Sequence, residues 1–355
     1  MRDKLQKKTA TKIHYCQTWP KHSDFKLANS IVIYDQILTQ NQSQFRDSKK
    51  WIEKFPNRLP VFAGEKLKNI SSFSKILEQI IEISANCEKP LQIVAIGGGS
   101  VGDFAGFLAS VLKRGVDLIH IPSTWLSAID SAHGGKNALN ISGYKNQIGT
   151  FHFAKEIYLI KPLLCSQPAS RLQEAMGEIL KIALLGSKKL WKSIDAGEGV
   201  YLLTVENLWK KLPSLVQAKY KIIKKDPFEK NSIRHLLNFG HTIGHIFESQ
   251  LNLPHGIAVS AGLGFSLQYS LRKKILSIQE FDKIMSMHLS VNIPTGEFIA
   301  MQLRQIKNAK AALMQDKKMK AKQNIRFVFL RRIGQGCVQT VTVNQLIAEI
   351  KRQSK

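Results

Sequence analysis

The chain is poor in cysteine and in acidic residues, and each shortage excludes something. Four cysteines, Cys16, Cys87, Cys165 and Cys337, are scattered through 355 residues with no CxxC pair. That spacing argues against a thiolate zinc site and fits ordinary thiols kept reduced in the cytoplasm. Asp and Glu number 26 against 52 Lys and Arg, leaving a net charge of +26. So basic a chain raises the question of nucleic-acid binding. The charge is spread along the sequence, however, and its densest stretch, Arg304 to Arg332, lacks the interleaved aromatics of a single-strand binder. A solvated lysine-rich surface with an anionic small-molecule substrate is therefore expected, and nucleic acid is not. No apolar run approaches the roughly 20 residues of a membrane span. The most apolar one, Phe104 to Leu112, stops at Lys113-Arg114. The opening MRDKLQKKTATKIHYCQTWP has no apolar core and no small-residue cleavage site, so no signal peptide is expected and a cytoplasmic enzyme is. Internal repeats and low-complexity tracts are also missing.

What is present suggests two domains, since 355 residues exceed one ordinary core. Ser30 to Tyr34, Leu91 to Ile96 and Asp117 to Ile121 read as apolar strands. Leu67 to Ala85 and Phe104 to Leu112 read as helices between them. Strand, glycine turn, helix, strand is the pattern of a parallel sheet. Beyond about Pro162 helical spacing dominates: Ala169 to Leu185, Val200 to Lys225, Ile233 to Leu251, Ile257 to Lys274 and Leu276 to Met287. Strand-like segments return at Ile325 to Leu330 and Gly336 to Val343. The expectation is an α/β Rossmann-like nucleotide-binding domain over residues 1–162 and a mostly α-helical domain over 163–355.

Three features carry chemistry. The first is Gly97-Gly98-Gly99-Ser100-Val101-Gly102-Asp103, where a strand meets a helix. Glycine lets a ligand approach the backbone, and a helix N-terminus offers N–H groups to a pyrophosphate. This is not the GxGxxG fingerprint, and a tight loop is the plain alternative. Asp35, Ala63-Gly64-Glu65-Lys66-Leu67-Lys68 and Ser123-Thr124 likewise follow predicted strands, so they converge at the carboxyl edge of a parallel sheet. The second is a polar cluster, Asp130 to Lys136 and Gly143 to Asn146, with two lysines suited to phosphate or carboxylate. The third is Asn238-Phe239-Gly240-His241-Thr242-Ile243-Gly244-His245, which sets two histidines on one helix face. His255 follows after Leu253-Pro254, and Glu178 and Lys181 lie on an earlier helix. Two histidines and a carboxylate form a usual catalytic zinc set. The pattern is not HExxH, because Thr242 fills the slot of the general base.

Taken in order, GGGSVGDFAGF, KRGVDLIHIPST, DSAHGGK, YKNQIG, EAMGEILK, RHLLNFGHTIGH and PHG resemble the sugar-phosphate cyclases, in their dehydroquinate synthase branch. The resemblance runs from about Asp35 to about Lys318. It implies a dehydroquinate synthase-like fold and a homodimer. It implies metal ligands, for zinc or cobalt, at Glu178, His241 and His255. NAD would be held by Asp35, Glu65, Lys68, Gly98, Gly99, Ser100, Gly102, Asp103, Ser123, Thr124 and Lys145. Substrate would be held by Asp130, Lys136, Asn146, Lys181, Lys219, Arg234, Asn238 and a lysine of Lys317-Lys318. Arg114 would reach the substrate phosphate across the dimer, and Glu229 and His245 would move protons.

The implied substrate is 3-deoxy-D-arabino-heptulosonate 7-phosphate, in the shikimate route to aromatic amino acids. NAD would oxidise a ring alcohol that the metal polarises. Phosphate would leave by elimination, hydride would return, and an intramolecular aldol step would close the carbocycle. The sequence departs from the family at His133, Asn137-Ala138, His152, Ile257 and Ser123, and has an extra residue between Glu229 and Arg234. Rival readings are a valiolone- or inosose-type cyclase and a polyol dehydrogenase releasing NADH.

Overall fold

The apolar run Ile31-Val32-Ile33 lacks polar alternation, as expected of a strand covered on both faces. In the computed structural model, which describes residues 10–194, 204–286, 292–315, 319–320 and 324–355, all three residues are buried. The chain divides into two units, Met1–Arg171 and Leu172–Lys355.

The first unit contains β1 (Lys12–Cys16), β2 (Ser30–Asp35), β3 (Arg58–Val61), β4 (Gln92–Gly97), β5 (Asp117–Pro122), β6 (Lys136–Ile141), β7 (Tyr144–Phe151) and β8 (Glu156–Ile160). Six of these form one sheet in the order β1-β8-β5-β4-β2-β3, with every pairing parallel. Its helices include α1 (Arg46–Ile52), α2 (Ile70–Ala85), α3 (Gly99–Val111) and α4 (Lys161–Cys165). From β2 the chain moves outward to β3, then returns to place β4 on the other flank of β2. That reversal is a topological switch point, where open parallel sheets bind ligands beyond the carboxyl ends of the strands. Alternate residues Val32, Tyr34, Val94, Ile96, Ile119, Ile121 and Tyr158 build one face of the core. On the other face α3 approaches through glycines. A Cβ on Gly102 would meet the His120 ring at 3.2 Å, and one on Gly106 would lie 1.9 Å from Asn137 Oδ1.

The weakly apolar strands β1 and β3 are edge strands, and Pro60 within β3 fits that position. Neither was legible in the hydrophobic pattern. The polar cluster of Lys136 and Gly143 to Asn146 lies on the antiparallel hairpin β6–β7. Ser142 (φ 49°) and Gly143 (φ 80°) form its two-residue turn, whose paired positive angles match strand twist.

The second unit continues α5 (Ala169–Gly186) with α6 (Lys188–Ile194), α7 (Val205–Ile223), α8 (His241–Leu251), α9 (His255–Arg272), α10 (Ile278–Met285), α11 (Glu297–Arg304), α12 (Ala309–Gln315) and α13 (Val343–Gln353). Strands β9 (Met319–Lys320), β10 (Asn324–Arg332) and β11 (Gln335–Thr342) form a small antiparallel sheet. The helix expected over Ile233 to Leu251 is broken. A 3-10 turn spans Arg234–Asn238, Gly240 adopts φ 79°, and α8 starts afresh at His241. Among the described residues, no helix is long and apolar enough to cross a membrane.

Candidate active site

Glycines decide how closely the helices of the second unit approach. A Cβ on Gly177 of α5 would lie 2.4 Å from the Gly256 carbonyl, and one on Gly256 of α9 would lie 2.0 Å from the Glu174 carbonyl. A Cβ on Gly262 would lie 1.9 Å from the Gly240 carbonyl. Each contact adjoins a candidate metal-ligating side chain: Glu178 follows Gly177, His241 follows Gly240, and His255 precedes Gly256. Backbone proximity therefore brings together three side chains from three helices. Their ligand atoms all lie within 4.8 Å of one another, the one such group of three among the described residues.

The orientation of the ring nitrogens fits a cation. Glu178 Oε1 faces His241 Nε2 and His255 Nε2, each at 3.2 Å. The other nitrogen of each ring is engaged behind it: His241 Nδ1 to the Phe239 carbonyl at 3.2 Å, and His255 Nδ1 to Glu248 Oε1 at 2.6 Å. An Nδ1–H donated to oxygen leaves the Nε2 lone pair pointing at the carboxylate, an arrangement that a bound cation resolves. Three protein ligands also leave a coordination position for substrate.

Electrostatics around Glu178 point the same way. Its carboxyl is fully buried and paired with Lys181 one turn on, itself 1% exposed. Burial pushes the carboxyl up, but Lys181 and His241 outweigh it and hold it well below the usual carboxylate range. Burial and Lys181 push the His241 imidazole down. Burial would also lower His255, yet its bonds to Glu178 and Glu248 dominate and raise it to about 10.

His245 is exposed on the same face of α8, its ring centroid 5.5 Å from that of His241. Asn238 Nδ2 meets His235 Nδ1 at 3.2 Å. Lys219 and Arg234 are buried. The loop with the extra residue is gathered by the buried Asp226 carboxylate. Oδ1 accepts from the N–H groups of Lys230 and Asn231 at 2.8 and 3.1 Å, and Oδ2 from Arg234 at 3.2 Å. Glu229 and Ser232 there adopt φ 55° and 62°, and Glu229 Oε1 lies 3.7 Å from His235 Nδ1. Lys317 and Lys318 lie outside the described residues.

In the first unit, the predicted turns meet at the carboxyl edge around β2 and β4. The Gly64 N–H donates to Ser100 Oγ at 2.9 Å, and Lys68 Nζ meets Asp103 Oδ2 at 2.6 Å. Ser123 N–H donates to the Gly97 carbonyl at 2.9 Å. Burial pushes the Asp103 carboxyl up against the opposing effect of Lys68. Burial also raises Asp35, whose Oδ1 accepts from the Ile37 N–H at 3.2 Å. Gly98 caps α3 with no side-chain bond, and a Cβ on Gly98 or Gly99 would crowd Thr124 at 3.3 Å or Ser131 at 3.1 Å. A helix N-terminus approached through bare glycine at the switch point suits a dinucleotide pyrophosphate. Two members of the predicted set have local duties as well. Thr124 Oγ1 accepts from Ser127 N–H at 3.2 Å, and the space beside Gly102 is filled by His120.

The hairpin β6–β7 carries Lys136, Lys145 and Asn146, all exposed, while Asp130 lies just before it, half-buried. Asn146 Oδ1 accepts from Lys68 Nζ at 2.7 Å. Two of the family departures nearby are held by backbone carbonyls. Asn137 Nδ2 donates to the carbonyls of Gly135 and His152, each at 3.0 Å, and the buried His133 reaches the Ala128 carbonyl at 2.7 Å. Arg114 stands in a strained turn, with Lys113, Arg114 and Gly115 at φ 49°, 68° and 114°. Sequence inspection did not single out Asn140, Asp226 or His235, and gave Glu248 no role. Glu248 alone had a signal, since it shares a helix face with His241 and His245.

A parallel sheet with a glycine turn at its switch point, followed by a helical unit bearing a Glu/His/His cluster, is the fold of the sugar-phosphate cyclases. A 2-epi-5-epi-valiolone synthase from Streptomyces hygroscopicus, solved with NAD+ and Zn2+, shares it at TM-score 0.76 and 19% identity, over 97% of this chain and 96% of that one. The 3-dehydroquinate synthase N-terminal family matches residues 58–174, and the 3-dehydroquinate synthase C-terminal family matches residues 175–319. The chain belongs to the 3-dehydroquinate synthase family. It is 32% identical to the 3-dehydroquinate synthase of Pelagibacter ubique over 88% of this chain and 85% of that protein. It is 36% identical to that of Alkaliphilus oremlandii over 61% of this chain, a match spanning 59% of the relative's length.

Proposed function

We propose that the chain converts 3-deoxy-D-arabino-heptulosonate 7-phosphate to 3-dehydroquinate and phosphate, as a cytoplasmic homodimer. Residues 1–162 would hold NAD and residues 163–355 the metal and substrate. The observation that carries this reading is the Glu178/His241/His255 cluster with Lys181 bonded behind it, in a chain of this family. Relatives at 32% and 36% identity are 3-dehydroquinate synthases, whereas the valiolone synthase stands at 19%. This difference favours dehydroquinate over a valiolone-type product.

When bound, NAD supplies a reversible hydride acceptor and a zinc or cobalt ion supplies a Lewis acid. The chain's own residues do the rest. Asp35, Glu65, Lys68 and Asp103 with the Gly98-Gly99 turn hold and orient the dinucleotide, assisted by Ser100, Gly102, Ser123, Thr124 and Lys145. Lys136, Lys181, Lys219 and Arg234 meet a substrate that carries both a phosphate and a carboxylate, and Asp130, Asn146 and Asn238 orient its hydroxyls. Arg114 engages the phosphate across the dimer. His245, exposed beside His241, and Glu229 exchange protons with the ring. A lysine of Lys317-Lys318, outside the described residues, would also hold the substrate.

The test is phosphate release from the heptulosonate 7-phosphate, sedoheptulose 7-phosphate and glucose 6-phosphate. Turnover of the first alone is expected, with no net NADH. No turnover of the heptulosonate would overturn the proposal, and accumulating NADH would favour a dehydrogenase.

A further inference from the structure

We propose that Asn140 is a positioning residue that ties the NAD-holding loop after β3 to the substrate-holding end of the hairpin, through the two ends of one buried amide. The inference rests on the function proposed above for Glu65 and Asn146. Asn140 Nδ2 donates to Glu65 Oε2 at 2.8 Å, while its Oδ1 accepts the backbone N–H of Asn146 at 2.8 Å. Its own N–H donates to the Lys68 carbonyl at 2.7 Å. Lys68 then closes the ring, with Nζ at 2.7 Å from Asn146 Oδ1 and 2.6 Å from Asp103 Oδ2.

Three observations make this more than ordinary packing. The β6–β7 register shifts between Leu139 and Ile141, where Asn140 alone stands opposite Lys145, Asn146 and Gln147, so the bulge lies on β7 at Asn146 and the Asn140 backbone bridges to Asn69 instead. Bulges re-aim side chains beside sites. Asn146 sits at φ 54°, a left-handed conformation that asparagine adopts more readily than other non-glycine residues and that hydrogen bonds to its backbone help to hold. The bond from Asn140 Oδ1 to the Asn146 N–H is one such bond. The polarity of the amide is also dictated: reversing it would set a carbonyl against the Glu65 carboxylate and an N–H against an N–H. Aspartate keeps only the acceptor end, and leucine keeps neither.

The two ends can be tested separately. On nucleotide-stripped protein, Asn140→Asp is expected to weaken NAD binding about tenfold or more by calorimetry, because a charged hydrogen bond becomes a repulsion. It should leave amide exchange at Asn146, and the KM for the heptulosonate, near wild type. Asn140→Leu is expected to weaken NAD, to speed exchange across residues 142–148, and to raise that KM by about the same factor. Wild-type NAD affinity in Asn140→Asp would overturn the proposal. So would unchanged exchange at Asn146 in Asn140→Leu, or a lowered melting temperature with unchanged NAD affinity and KM. Failure of the wild-type chain to bind NAD or turn over the heptulosonate would instead sink the parent function, and is visible without any variant.

Discussion

The His255 ring is held on its far side by Glu248, with Nδ1 2.6 Å from Oε1. The two residues flank the break between α8 and α9, so the bond ties the start of one helix to the end of the other. It orients Nε2 toward Glu178 and would strengthen the ring as a metal ligand. Glu248→Gln is expected to lower metal affinity roughly 10- to 100-fold without unfolding the protein. Competition with a chromophoric chelator measures this. Unaltered affinity would remove Glu248 from the site.

We propose His241 as one of three metal ligands, with Glu178 and His255. His241→Ala should abolish both bound metal and turnover, read by elemental analysis and phosphate release. Full activity with no metal in that variant would refute the ligand assignment.

Lys181 neutralises a carboxylate with no exposure to water. Lys181→Met removes one partner of a buried pair, a change that costs about 3–5 kcal/mol when the remaining charge is stranded. That loss is expected in metal-free protein by urea denaturation, and zinc should restore part of it by neutralising Glu178. A metal-free variant as stable as wild type would contradict this account.

The Cβ that Gly256→Ala introduces falls 2.0 Å from the Glu174 carbonyl. Helices α5 and α9 must then separate, carrying Glu178 away from His255. Metal affinity should fall by more than the tenfold floor expected of a disturbed supporting contact, while circular dichroism still reports a helical protein. Tight metal binding in this variant would show that the helix contact does not set the ligand spacing.

His120 is buried in the centre of the sheet, and burial together with His152 pushes its pKa down to about 4. An unfolded histidine titrates near 6.5. Above pH 6.5 both states carry neutral His120, and its contribution to stability is fully present. As pH falls from 6.5 toward 4, the unfolded chain takes up a proton that the folded one refuses. Stability then drops, by on the order of 3 kcal/mol once pH is below both values. Urea denaturation of the wild type and of His120→Gln at pH 7.5 and 4.5 measures the difference. An equal loss in both proteins would exonerate His120.

Much of the fold was legible in the residues themselves. Apolar runs announced β2, β4 and β5, and helical spacing announced most of the second unit. Where the pattern failed, a local signal was overridden or missing. The edge strands β1 and β3 are too polar and short to stand out. The hairpin is written in polar residues because much of it is exposed. The helix expected over Ile233 to Leu251 broke at Gly240, whose left-handed turn and close carbonyl contact with α9 no periodicity reveals.

For the site, the sequence by itself determined the chemical inventory: two imidazoles on one helix face, a Glu and a Lys three apart, and glycines where strands meet helices. Those follow from spacing of 3.6 residues per turn and from the chemistry of each side chain. The tertiary structure alone decided which of them meet. Glu178 reaches His241 and His255 because glycines on α5 and α9 permit backbone approach, and Glu248, Asn140 and Asp226 acquire their roles only through partners distant along the chain or across a folded loop. Hydrogen bonds and ion cages are short-ranged, so they depend on distances between atoms that only the folded chain brings together.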